Sequence, residues 1–382
     1  MMPFPRTAFL SVGMLCGCAG AHEPPPTAAP KGADTSSDAT APEARAAAPP
    51  ALSADSGSPS GPALAPSLVF YPVALPAVHA PAAVDYIVYE PGRERIWVPV
   101  ANTGSVDVFD IAARAFTRID GFTTSELDVK GTKRTMGPSA VSIGDGFAYV
   151  GNRATHEVCS VSTTTLTIGA CLKLPSATDG VAYVASAKEV WVTTPRDRSI
   201  AVIDASRPDA LAVKTVVKLD GAPEGYALDD TRGLFFTNLE DKNETVVIDV
   251  KTHEPKTTWS LDCSNAGPRG VASDAKRGFV YVACTDQVLV LDSARNGAKM
   301  AVLDTGRGVD NVDWLEARQL LYVAAGEAAT LTVAHVDNRG QLSVVARHAT
   351  ADGARNGVAD ASGNAYVVDR SNARLLVFPN TP

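Results

Sequence analysis

The sequence has no apolar run of about 18 residues, so it encodes no membrane-spanning helix. Charge is sparse: Asp, Glu, Lys and Arg make up 20% of 382 residues, and 34 basic against 42 acidic side chains leave a formal charge of −8. No nucleic-acid partner is expected, because such partners select a basic footprint. None of the six cysteines forms a Cys-x-x-Cys pair, which removes zinc-ribbon and c-haem readings. Gly-x-Ser-x-Gly, His-Glu-x-x-His and phosphate-binding glycine loops are also missing. Gly306-x-Gly308 lacks the third glycine of a dinucleotide site. Aromatic residues are few, at 6%, and only Phe4 and Phe9 precede residue 67.

That last scarcity divides the chain. Of the 48 residues in 19–66, 38 are Ala, Pro, Ser, Gly or Thr. Such a segment buries too little apolar surface to offset its ordering entropy and reads as a disordered tether. Before it, Arg6 and the apolar stretch Thr7–Leu15 read as an export signal. Its ending, Leu15-Cys16-Gly17-Cys18, resembles the lipobox of bacterial lipoproteins. The resemblance implies a signal over 1–18, lipidation of Cys18 and attachment to a membrane through that lipid. Ala19 and Gly20 follow, without the aspartate of an inner-membrane retention signal. The expected address is therefore the outer membrane or cell surface. Residues 67–382 form the folded part, expected to be a monomer.

The folded part repeats. Short aromatic strands are centred on Trp97, Tyr149, Trp191, Phe235, Tyr281, Tyr322 and Tyr366, at spacings of 52, 42, 44, 46, 41 and 44. A further strand precedes each of these, and another follows it, often ending in Asp, as at Asp110, Asp204, Asp249 and Asp292. Four strands in about 45 residues is the arithmetic of a propeller blade. The expected fold is all-β: a seven-bladed β-propeller of four-stranded antiparallel blades. Tyr149-Val150-Gly151-Asn152 and Phe235-Phe236-Thr237-Asn238 resemble the YVTN-type repeat. The last repeat stops after its third strand near Phe378. The run Ser67–Tyr71 has no blade of its own and is expected to supply the missing outer strand, closing the ring.

Four cysteines remain after the signal. Cys159 and Cys171 fall on neighbouring strands about a turn at Thr163–Thr165, and Cys263 and Cys284 fall on one face of blade five. An even count in an exported domain favours two disulfides over four buried thiols.

Loops leading into the inner strands surround the axial channel. Aligning the repeats places Ala82, Ser139, Asp179, Glu224, Arg269, Asp310 and Asn356 at its mouth, with His79, Asn311 and Arg355 beside them. Two readings compete there. Oxygen ligands from Asp179, Glu224, Asp310 and Asn356 would suit Ca²⁺ or another divalent cation. Glu224-Gly225, Asp179-Gly180 and Asn356-Gly357 resemble elements of gluconolactonase-type propellers, which implies a metal-dependent lactonase with Asp179 as proton acceptor. In the other reading Glu224, Arg269 and Asp310 pair with one another, Asp179 and Asn356 cap backbone groups, and the polar face binds a protein, glycan or small molecule. A structural cell-surface protein without a discrete ligand is a third possibility.

Overall fold

A computed structural model describes residues 70–129, 131–263 and 267–379. The signal, Cys18, the tether and Ser67–Val69 lie outside the described residues. Seven four-stranded antiparallel sheets form the propeller, each drawn from one stretch of chain except the last. Blade one spans 88–120, and blades two to six span 138–173, 181–218, 223–260, 268–304 and 309–349. Blade seven takes its inner strands from Gly357–Ala359, Ala365–Asp369 and Arg374–Phe378, and its outer strand from Tyr71–Ala74. The register runs from Tyr71 opposite Val377 to Ala74 opposite Arg374. The closure falls slightly downstream of the expected Ser67–Tyr71. Tyr71 and Val73 turn inward while Pro72 and Ala74 face out, a period-two pattern that fits a half-covered strand. Pro72 is tolerated because this strand has only one neighbour to bond.

The core consists of seven apolar clusters among the described residues, one at each junction between blades. The repeating aromatics sit in these junctions. Trp191 of blade three stacks on Phe235 of blade four with centroids 4.7 Å apart, and Tyr281 meets Trp314 at 4.8 Å. Buried indole N–H groups favour acceptors, and the two fully buried ones find carboxylates: Trp97 donates to Glu90 at 2.8 Å and Trp191 to Glu189 at 2.9 Å. The recurrent aspartates are turn formers, as their position suggested. Asp110, Asp204, Asp249 and Asp292 each accept from a backbone N–H two or three residues on, at 2.8–2.9 Å. His335 takes the place of that aspartate at the end of its strand in blade six.

Both disulfides form. Cys159 and Cys171 are direct partners on adjacent strands of blade two. Cys263, ahead of the inner strand of blade five, joins Cys284 at the end of the next strand. The spacing of 52 between the first two aromatic strands has a structural cause: an extra hairpin, Ser125–Val129 and Thr132–Met136, lies between blades one and two.

Candidate functional site

Strand register fixes which side chains line the channel mouth. The residue opposite each repeating aromatic is Val88, Ser142, Ala182, Leu228, Ala272, Asp313 or Val358. The residues three positions earlier are Asp85, Ser139, Asp179, Gly225, Arg269, Asp310 and Arg355. In blade one the mouth residue is thus Asp85 and not Ala82, while in blades four and seven it is Gly225 and Arg355, each one position from the expected Glu224 and Asn356. Blade one has no glycine before its inner strand to mark the alignment. In four blades the ladder bulges here, at Pro138/Ala140, Pro223/Tyr226, Pro268/Val271 and Val309/Val312. A bulge places an extra residue against its partner strand and re-aims the side chains beside it. Ser139, Glu224, Arg269, Asp310 and Asn311 all lie within these bulges.

The glycines that follow the mouth residues have a packing cause. A Cβ on Gly180 would strike the Tyr226 ring, one on Gly225 the backbone of Arg269–Gly270, and one on Gly270 would strike Asn311. At these three positions the neighbouring inner strand or its side chain comes so close that only glycine fits. The Glu-Gly and Asp-Gly elements are therefore required by the ring itself, whatever the site does.

Ion pairs tie the mouth together across blades. Arg153, from the loop after the second strand of blade two, reaches Asp85 at 2.6 Å and also contacts Asp179. Arg355 approaches Asp310 at 3.3 Å and Asp85 at 3.9 Å. Asn356 Nδ2 donates to Asp310 Oδ2 at 3.2 Å. Arg269 pairs with Glu240, so the expected alternation of Glu224, Arg269 and Asp310 is not how these groups bond. Asn311 turns its side-chain oxygen to the N–H of Val312, at 3.1 Å. Beside this network Tyr86 of blade one meets Tyr226 of blade four with centroids 5.8 Å apart, so side chains fill this region of the axis.

Burial and neighbouring charge set the protonation of these groups. Burial raises the Asp85 carboxyl, but Arg153, Arg355 and Arg370 outweigh it and the net displacement is downward. Asp179 is pushed up to about 6, mainly by burial, with Arg153 opposing. Glu224 is pushed up to about 9 by burial and then by Asp179, Glu240, Asp310 and Asp85. Glu224 thus carries a proton at neutral pH.

A carboxyl that holds its proton more tightly when folded contributes fully below its unfolded value of 4.5 and loses that contribution as pH rises toward about 9. Glutamine mimics the protonated form. Glu224→Gln is expected to melt with the parent near pH 4 and roughly 10 °C above it at pH 8. Equal melting temperatures at both pH values would contradict a neutral Glu224.

Two of the four proposed cation donors, Asp179 and Asp310, are held by other side chains. Asp179 is engaged by Arg153, and Asp310 by Arg355 and Asn356. Among the described residues no group of three or more His, Cys, Asp or Glu side chains is spaced to hold a metal ion.

Beside the mouth lies a cavity of about 700 Å³. Its walls are the 79–85 segment, the outer hairpin strand Thr132–Met136, and Arg153, Arg355 and Arg370. Asn102 secures the first wall: it accepts from Ala83 N at 3.0 Å and donates to the carbonyls of His79 and Pro81 at 3.3 Å. Arg370 Nε donates to Ala82 O at 3.2 Å. Repeat alignment missed Asp85, Tyr86 and the hairpin. Counting back from each aromatic's partner would have found the first two, and the long first spacing pointed to the third.

No family model matches the chain, and no curated protein matches it. Solved structures do. A chain of a mitotic checkpoint complex matches with TM-score 0.66 and 12% identity over 88% of this chain and 98% of that one. Kuenenia stuttgartiensis hydrazine synthase matches with TM-score 0.66 and 14% identity over 80% and 99%. The β-propeller domain of Myceliophteria thermophila Cps50 (Swd1) matches with TM-score 0.64 and 8% identity over 82% and 99%. At these identities the likeness concerns the fold.

Proposed function

We propose that the protein is a lipid-anchored, exported β-propeller of the YVTN-repeat type that binds its ligand on the channel face. The cavity beside the mouth carries this reading: a rigid ring presents polar loops around a concave site large enough for a ligand. Propellers commonly serve as interaction modules. The lipobox-like Leu15–Cys18 and the 19–66 tether support attachment by lipid. Two disulfides suit an oxidising compartment. The lactonase reading has less support, because two of its four donors, Asp179 and Asp310, are held in ion pairs and its Glu-Gly and Asp-Gly elements have a packing cause.

Hydroxyl-radical footprinting tests the proposal. Membranes of the native host should contain the chain, and His79 and Met136 should be protected there relative to the purified protein. Both residues line the cavity. Recovery in the soluble fraction would remove the anchor. Protection elsewhere only, or none, would remove the channel-face site.

A further inference from the structure

Three features of the cavity bear on what it holds. The first is charge. The chain is acidic overall, yet the cavity is lined by Lys133, Arg134, Arg153, Arg355 and Arg370 against the single carboxylate of Asp85. Arg153 and Arg355 are engaged by acids. Arg370 and Arg134 make no ion pair among the described residues. The second is crowding of like charge. Burial and then the repulsion of Arg355 lower the Arg370 pKa; Asp85 and Asp310 oppose them without reversing the shift, and Arg134 adds to the lowering. Arg370 is partly buried and Arg134 exposed, and guanidinium groups that repel one another are stabilised when an anion enters between them. The third is an unused hydroxyl. Ser139 is among the cavity's lining residues, and its Oγ is buried with no hydrogen-bond partner among the described residues.

The same cavity is also lined by Ala80–Ala83, Val84, Ala101 and Met136, which give it an apolar wall. A volume of about 700 Å³ falls in the range of small-molecule sites, on the order of 300–1,000 Å³. Guanidinium forks match carboxylate and phosphate oxygens bidentately.

We propose that this cavity binds a small organic anion, with Arg370 and Arg134 holding its carboxylate or phosphate group, Ser139 donating to it, and its carbon body lying against the alanine-rich wall. The proposal rests on the channel-face reading above and supplies its ligand class. The hairpin Ser125–Met136 thereby acquires a role, since it brings Arg134 to a ring whose own blades supply the other arginines.

Calorimetric titration of the purified folded chain with citrate and with inorganic phosphate, at matched ionic strength in sodium chloride, tests the proposal. Saturable binding of either probe is expected, and whichever binds more tightly assigns the group as carboxylate or phosphate. Arg134 is on an exposed strand, so Arg134→Gln should fold normally and weaken binding about fivefold; Arg370→Gln should weaken it more than tenfold. Absence of saturable heat with both probes, or parental affinity in both variants, overturns the proposal. Protection of His79 and Met136 in native membranes without anion binding would leave the channel-face site standing and remove only the ligand class.

Discussion

Deleting residues 70–74 is expected to lower the melting temperature by more than about 10 °C and to broaden the transition. The segment is short, but it is the outer strand of blade seven and pairs with Arg374–Phe378 over four positions. Phe70 lies against Phe378 at 5.3 Å between centroids, and Tyr71 and Val73 pack on the cluster between blades seven and one. Without it, Leu375, Leu376, Val377 and Phe378, now buried, would form a bare sheet edge. Lost burial and ladder bonds together amount to about 5 kcal/mol, a large fraction of ordinary domain stability. Differential scanning calorimetry is the measurement. A circular permutant that joins Phe378 to Phe70 through a short turn, opened in a loop between other blades, should restore the transition, because Tyr71 already faces Val377. An unchanged melt in the deletion would show that the ring closes by other means.

Arg153→Ala should be the most damaging single substitution at the mouth. One guanidinium holds two largely buried carboxylates, Asp85 and Asp179, from blades one and three. Removing one partner of such a group strands the others and costs about 3–5 kcal/mol at neutral pH. Loss of the cation would raise the pKa of both acids, so the penalty should shrink as pH falls and they take up protons. Adding Asp179→Asn to Arg153→Ala should recover some of the loss, since one stranded charge is then neutral. Urea unfolding at pH 5 and pH 8 would measure these differences. A penalty independent of pH would mean that Arg153 acts by packing alone.

The fold was legible because propeller blades are local. Each four-stranded sheet but one comes from consecutive residues, so aromatic strands recurring about every 45 positions reveal it directly. Closure was legible from an orphan strand and an incomplete last repeat. The mouth was harder to read. Its ion pairs join positions far apart in sequence, as with Arg153 and Asp85, 68 residues apart. The bulges at Glu224, Arg269 and Asp310 shift the register where alignment depends on it. Asp179, Glu224, Arg269, Asp310, Arg355 and Asn356 were found because glycines mark their strands or neighbour them. Asp85 was missed because Tyr86 and Ile87 stand where glycine would have marked the strand. The hairpin was invisible as an element because its charged alternation, Glu126 to Arg134, resembles solvated loop.

The closing strand also has a mechanical meaning. Tension entering from the N-terminal side meets the Tyr71–Ala74 pairing before any other blade and loads it first at the Tyr71–Val377 end. Both disulfides lie within single blades, two and five, so neither reinforces that seam. Under such tension, four residue pairs act as the fuse of the ring. They would unzip in succession while the six contiguous blades keep their internal ladders.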